Sequence, residues 1–395
     1  MTTPTGTIAM SDVNVELGLP SSTVITLNDT AVRNLAGIAS GAISMNDLRG
    51  KSAGYKYIAY AFYGSYTGNP RIAMYPWSNA TGFGVRFANQ ATIPSNLAHS
   101  IDTYGSSSGD MMYGGAASDE IQTFAWSSSG IGTRYALPSV SAVSAVMEAR
   151  WSPNGQAIVG ANYINSPYII GYAYTQGTGF GTKYSDPGTL PSGSQYSVSW
   201  KDNSIVCVSG LTGASSLNVY DWSSGFGTRY ANPSTAAAST YSMRFYTGNG
   251  MNVLVGSRTG TPYTQAYNFF GGFGSKYSNP ATAPGGAANY CSFSEDGAYV
   301  AIAHDGFPYV TVYPWSSSGF GTKYTNPSTD IGGGGQSVGF QKGASVIGMT
   351  MDAGEFIAAY QWSSSGFGTR YAKYTTSPAY NQPNGEVRDM KFFGT

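Results

Sequence analysis

The chain has 395 residues, only 10% of them charged, with 53 Gly, 31 Tyr and 20 basic side chains against 20 acidic ones. A disordered chain would be poor in aromatics and rich in net charge, so this one folds. With no net charge and no long basic run it lacks an electrostatic footprint for nucleic acid or an anionic membrane, and no segment approaches 18 apolar residues, so no membrane insertion by a helix is expected.

Residues 1–52 come first and stand apart from the rest. The first 30 residues hold no Lys or Arg and no apolar run of signal-peptide length, which predicts synthesis and folding in a cytoplasm. A small repeat follows: "IAMSD" (8–12), "ITLND" (25–29) and "ISMND" (43–47), spaced 17 and 18 apart. Each reads as a short apolar-polar strand ending in turn or N-cap residues. Only the second runs into a convincing helical turn, "TAVRNLAG". The segment has too little apolar surface for a core of its own, so it is expected to dock on a partner or on another copy of itself.

From residue 53 onward a different repeat takes over. Its phrase is Gly-Phe-Gly, one residue, Lys or Arg, then Tyr or Phe, and its first Gly falls at 82, 130, 179, 225, 272, 319 and 366. Ile131 replaces Phe in the second copy. Upstream of each copy lies an alternating aromatic segment, such as "RIAMYPW" (71–77) or "YVTVYPW" (309–315), with the period of a half-buried strand. Before that comes a more continuous apolar run such as "AIVGAN" (157–162), and earlier still "EARWSPNG" (148–155) or "YCSFSEDG" (290–297), ending in the Asn-Gly or Asp-Gly of a tight hairpin. Four strands every 47 residues or so describe a β-propeller blade. The fold class is therefore all-β, a seven-bladed propeller over 53–395, with an open solenoid as the alternative.

The chain ends favour closure. The first unit starts at "YKYIAYAF" (55–62), with no inner strand before it, and the last segment, "EVRDMKFFGT" (386–395), matches an inner strand with nothing after it. Pairing the two completes a first blade and removes the exposed edge. In the repeated phrase the Gly permits a turn, the Phe is expected between neighbouring blades, and the Tyr extends that seam. Trp77, Trp126, Trp222, Trp315 and Trp362 are assigned to blade packing. Cys207 and Cys291 fall in non-adjacent units and are expected to stay reduced, and two distant histidines, His99 and His304, give no zinc spacing. No metal and no cofactor is expected.

"GTIAMSDVNVELG" followed by "GAISMNDLRGKS" resembles the N-terminal segments of tailed-bacteriophage virion proteins, particularly tail and fibre-like ones. The resemblance covers about 50 of the 395 residues. It implies a structural, non-enzymatic protein located in the virion, attached to other virion proteins through residues 1–52 and displaying the propeller toward a host-surface glycan or neighbouring virion proteins. The propeller half resembles WD-repeat-like and lectin-type propellers in layout, without the Gly-His and Trp-Asp pairs of WD repeats. A free lectin-like, glycan-binding propeller is the alternative, and a propeller hydrolase a further one.

The chemistry offers little for catalysis. Glu120, Glu148, Glu295, Glu355 and Glu386 lie in different units, whereas glycoside hydrolysis needs two carboxylates at one bond. The "SPNG" and "SEDG" turns lack the sialidase spacing, and no nucleophile elbow stands out, so no enzyme is expected. The loops between second and third strands vary most: "YGSYTGNP" (63–70), "YINSP" (163–167), "SRTGTP" (257–262) and "DGFP" (305–308). Aromatics beside small polar residues suit sugar faces and hydroxyls, which makes Tyr63, Tyr66, Tyr163, Arg258, Asp305 and Phe307 the candidate ligand-binding residues.

Overall fold

The computed structural model describes residues 3–394 except 18–20, 37, 39–40, 50–55, 64–70, 93, 95–96, 116–120, 142–144, 212–215, 234, 236–238, 249–252, 330 and 373–385. Seven separate four-stranded antiparallel sheets make up the body of the protein, each running from an inner to an outer strand, and together they form a seven-bladed β-propeller. The inner strands are Glu386–Phe393 of blade one, Ala98–Tyr104, Val146–Trp151, Gln195–Asp202, Thr240–Tyr246, Ala288–Phe293 and Gly335–Phe340 of blade seven. Each contacts the inner strand of the next blade, and the strand of blade seven contacts that of blade one, so the ring is closed. Closure is made by the C-terminal strand: Glu386–Phe393 pairs antiparallel with Tyr57–Tyr63, with Tyr57 opposite Phe393 and Tyr60 opposite Met390.

The repeated phrase is the joint between blades. Gly319 has φ 93°, and a Cβ there would lie 3.0 Å from Cδ1 of Tyr277, the tyrosine that ends the phrase of the preceding blade. The position therefore needs glycine twice, for its left-handed backbone and for the close approach. Gly319→Ala is expected to cost about 1–3 kcal/mol and to lower the thermal midpoint accordingly; an unchanged melt would show that this seam is not close-packed.

The phrase's Phe lies in the seam between blades, as expected: Phe226 of blade four comes close to Gly171 of blade three, and Phe320 of blade six packs on a cluster that includes Val255 and Ala266 of blade five. Phe83, Phe226, Phe320 and Phe367 stand edge-on to the Trp of their own third strand, at 5.0, 5.0, 4.9 and 5.0 Å. The Tyr crosses in the other direction: Tyr371, Tyr184, Tyr277 and Tyr324 reach Trp77, Trp222, Trp315 and Trp362 of the following blade at 5.0, 5.0, 5.2 and 5.1 Å. Each such Trp thus joins two blades, and all four are buried. A second latch uses the third-strand tyrosines. Tyr172, Tyr220, Tyr267, Tyr313 and Tyr360 donate their hydroxyls to the carbonyls of Val140, Thr189, Thr235, Thr282 and Thr329, 31–32 residues upstream. Cys207 and Cys291 are buried in blades four and six and form no disulfide.

Residues before the propeller depart from the strand reading. Helix α1 spans Met10–Glu16, helix α2 spans Thr30–Ala36, and Met45–Leu48 form a 3₁₀ turn. In the three repeats the Asp closes back on the chain: Asp12 accepts the N–H of Ala9 at 2.8 Å, Asp29 that of Thr26 at 3.0 Å, and Asp47 that of Ser44 at 2.8 Å. At Ser44 and Asp47 the closure is reciprocal, the capping-box geometry of a helix start with Asp in the usual Glu position. Ile8, Ile25 and Ile43, one residue earlier, then pack onto Val13, Val32, Leu35, Ala36 and Leu48. The expectation that this segment builds no core of its own is corrected, because helical turns gather the apolar residues of all three repeats on one side. Its elements end at Leu48 and the first blade strand begins at Tyr57.

Candidate functional site

Seven inner strands line one central channel, and each carries the same irregularity near its start. The ladder between inner and second strand skips one residue in every blade, between Ala98 and Ser100, Val146 and Glu148, Gln195 and Ser197, Thr240 and Ser242, Ala288 and Tyr290, Gly335 and Ser337, and at Arg388 in blade one. A bulge re-aims the extra side chain. The bulged residues are Arg388, His99, Met147, Tyr196, Tyr241, Asn289 and Gln336, and all seven line a cavity of about 80 Å³ at one mouth of the channel.

Around this ring stand residues from the adjoining loops. Tyr63 lies 4.8 Å from the His99 ring, and the Arg388 guanidinium sits 4.7 Å over Tyr63. Tyr163 meets Tyr196 edge-on at 5.3 Å, and Tyr196 meets Tyr241 in the same way at 5.1 Å. Asn289 donates to Asp305 at 2.6 Å and to the carbonyl of Gly335 at 3.0 Å. Arg388 pairs with Glu386 at 2.8 Å and donates to Gln336 at 3.3 Å. Three of the six residues expected from the loops, Tyr63, Tyr163 and Asp305, are therefore brought to one mouth. Phe307 is 64% exposed on the same loop as Asp305 and packs only its edge against Tyr309. Tyr66 and the side chain of Arg258 lie outside the described residues. The bulged ring itself escaped the loop-based reading, although aligning the units on their Gly-Phe-Gly phrase puts five of its members, His99, Met147, Tyr196, Asn289 and Gln336, in a single column.

The floor of the mouth is an ion network that joins the blades. Arg150 donates to Asp389 at 2.9 Å and to the Tyr290 hydroxyl at 2.7 Å, and it also pairs with Glu148. Arg244 reaches Glu148 at 2.6 Å and covers the Tyr290 ring at 4.3 Å. Carboxylates and serines at this level also take an N–H from the next inner strand: Asp389 from Ile101 at 3.1 Å, Ser100 from Ala149 at 3.2 Å, Glu148 from Val198 at 2.8 Å, Ser197 from Met243 at 3.2 Å and Ser242 from Cys291 at 3.3 Å. Ser337 of blade seven closes the circle on Asp389 at 3.0 Å. Burial alone would raise the Glu148 pKa, but Arg150 and Arg244 outweigh it and hold the carboxyl well below its usual range. Burial raises that of Asp389, with Arg150 opposing. Tyr290 sits where four other blades have serine.

Two rim groups are shifted in ways that bear on chemistry. Burial, followed by the nearby Arg388 charge, lowers His99 to about 3, so its imidazole is neutral near pH 7, and its Nδ1 is buried without a hydrogen-bond partner. Burial raises the Glu386 carboxyl, with Arg388 opposing and Asp352 and Asp305 adding to the rise. Among the described residues no group of three or more His, Cys, Asp or Glu is placed to hold a metal ion, and no helix is long and apolar enough to cross a membrane.

No family model and no curated protein matches the chain. Solved structures do. A protein from Lactobacillus plantarum is 12% identical over 86% of this chain and 99% of its own length, with a TM-score of 0.64. A Bacteroides uniformis protein described as "a putative 6-phosphogluconolactonase" is 10% identical over 85% and 98%, with a TM-score of 0.65. One of the same description from Bacteroides fragilis is 12% identical over 86% and 98%, with a TM-score of 0.63. These neighbours correct the expectation of a non-enzymatic structural part of a phage particle: the two of them described by function are described as a hydrolase, and none of the three is described as a virion protein. Identities this low carry the fold and no activity, and the chain is similar to these proteins as a seven-bladed β-propeller.

Proposed function

We propose that the protein binds a small, uncharged, polyhydroxylated ring, a sugar or a sugar lactone, in the mouth formed by the seven bulged residues. The observation that carries this reading is the ring itself. Tyr196 and Tyr241, flanked by Tyr63 and Tyr163, supply aromatic faces, while Asn289, Gln336 and the free Nδ1 of His99 supply hydroxyl partners. Such a combination of a few aimed polar groups among aromatics is what small-ligand sites use. Glu148 and Asp389 in the floor, with Glu386 and Asp305 at the rim, disfavour a phosphorylated ligand. Of the partners expected from the sequence, a glycan is the one this mouth suits.

Saturation-transfer NMR with neutral monosaccharides, their uronic acids and glucono-1,5-lactone tests it. Neutral rings should bind, the charged ones more weakly, and Tyr196→Ala or Asn289→Ala should weaken binding about tenfold, the loss of roughly one hydrogen bond or stacking contact. No saturation transfer to any neutral ring would overturn the reading.

The pairing of a raised Glu386 carboxyl with Arg388 favours a second reading, hydrolysis of the lactone, a class to which the names of two structural neighbours also point. Glu386 would take a proton from water as its oxygen attacks the lactone carbonyl, with Arg388 facing the developing oxyanion. The ring C–O bond then breaks and the proton passes to the departing ring oxygen, leaving the open hydroxy acid. Titrimetric measurement of gluconolactone opening decides it: a rate above the spontaneous one that Glu386→Gln removes is expected, and a rate equal to the spontaneous one would exclude it.

A further inference from the structure

The channel has a second, wider mouth, and its electrostatics differ from those of the first. At this end lies a funnel of about 430 Å³, with Arg150, Arg244 and Lys391 in its floor. Two of the carboxylates that neutralise the guanidiniums, Glu148 and Asp389, line the first cavity, while Asp102, 3.8 Å from Arg150, lines the funnel together with Glu295. Four cationic side chains, Arg150, Arg244, Lys342 and Lys391, thus line the funnel against two carboxylates, whereas the first cavity has Glu148 and Asp389 against Arg388 alone. Tyr290 lines both cavities and separates them, its hydroxyl held by Arg150 and its ring by Arg244. Above the floor the wall is aromatic. Trp200, Phe245, Phe293 and Phe340 line it and are all only half-buried. They occupy the same register of four successive inner strands, where the channel widens.

We infer that the funnel is a second binding site, for a planar aromatic anion with its charged group on the floor and its ring against the wall. The volume lies within the range that holds a small organic molecule. Guanidinium groups favour a carboxylate or similar planar oxyanion, and half-exposed rings gain by covering a second apolar face. Lys391 is the accessible cation of the three, 42% exposed at its side chain and 3.0 Å from Asp102. The site does not depend on the sugar reading of the first mouth, from which Tyr290 and the ion network divide it.

Calorimetric titration of the full chain with 1-naphthoate, and separately with uncharged 1-naphthamide, tests the inference. Naphthoate should bind in the micromolar to submillimolar range, and naphthamide at least tenfold more weakly. Trp200→Leu and Lys391→Gln should each weaken naphthoate severalfold, whereas Asn289→Ala, at the opposite mouth, should leave it unchanged. Lys391→Gln alters a partly exposed side chain and keeps the test valid should Trp200→Leu fail to fold. Equal affinity for acid and amide, no heat at 1 mM naphthoate, or a loss caused by Asn289→Ala and not by Lys391→Gln would each overturn it. Failure of the sugar titrations would leave this result standing, and the reverse holds equally.

Discussion

A chain lacking residues 386–395 is expected to lose its cooperative thermal transition or to melt at least about 10 °C lower, since a shift of that size in a large domain corresponds to several kcal/mol. The deletion removes the inner strand of blade one, which pairs with Tyr57–Tyr63 along its length. It exposes that strand's edge to water and to other chains. It also removes Asp389, which binds Arg150, the N–H of Ile101 and the Ser337 hydroxyl. Arg150 would then be buried with less compensation than it needs, and breaking a buried pair from one side costs roughly 3–5 kcal/mol. Circular dichroism melts and analytical ultracentrifugation of the truncated chain would check both consequences, lower stability and new association through the open edge. A midpoint within a degree or two of the full chain would mean that the ring does not depend on this strand.

Acidification is expected to destabilise the protein well above the carboxylate range. Both histidines of the chain have folded-state pKa values below their ordinary 6.5: burial and the Arg388 charge lower His99 to about 3, and burial lowers His304 to about 4. The unfolded chain therefore takes up protons below pH 6.5 that the folded chain refuses. The stability associated with these groups is complete above pH 6.5 and is lost as the pH falls toward 4. At about 1.4 kcal/mol per pH unit and group, the loss by pH 4 is on the order of 6 kcal/mol, with the raised pKa values of Glu386 and Asp389 acting in the opposite direction. Urea unfolding at pH 7, 5.5 and 4 would show it as a falling midpoint at constant slope. In the double variant His99→Gln, His304→Asn the limb between pH 6.5 and 4 should flatten. A wild-type midpoint independent of pH across that window would refute the assignment of two neutral buried imidazoles.

Much of the architecture was legible in the order of residues alone. The spacing of Gly82, Gly130, Gly179, Gly225, Gly272, Gly319 and Gly366 counts the blades, and the unpaired ends "YKYIAYAF" and "EVRDMKFFGT" show how the ring closes. Both are legible because strand alternation and turn chemistry are local, and a repeat multiplies a weak local signal sevenfold. The N-terminal segment was misread for the complementary reason. "ITLND" alternates like a strand, and only the contact of each Asp with the backbone three residues earlier turns the phrase into a helix start.

The candidate site was half legible. Tyr63, Tyr163 and Asp305 stood out as loop aromatics and polar neighbours, yet nothing in their positions showed that they meet at one mouth. Arg388, His99, Tyr196, Tyr241, Asn289 and Gln336 carried no local mark, since each looks like one more residue at the start of an apolar strand. A bulge in the ladder turns each of them into the channel, and closure of the ring brings seven strands from across the whole chain to a common axis. The same holds for Glu148, Arg150, Arg244 and Asp389, which read as scattered charges and are one ion network. Local sequence determined the strands, their number and the seams between them, because those depend on contacts within about fifty residues. The two cavities, their different charge and the neutral histidine beside Tyr63 were decided only by the tertiary structure, because burial and charge pairing depend on which distant side chains share the axis.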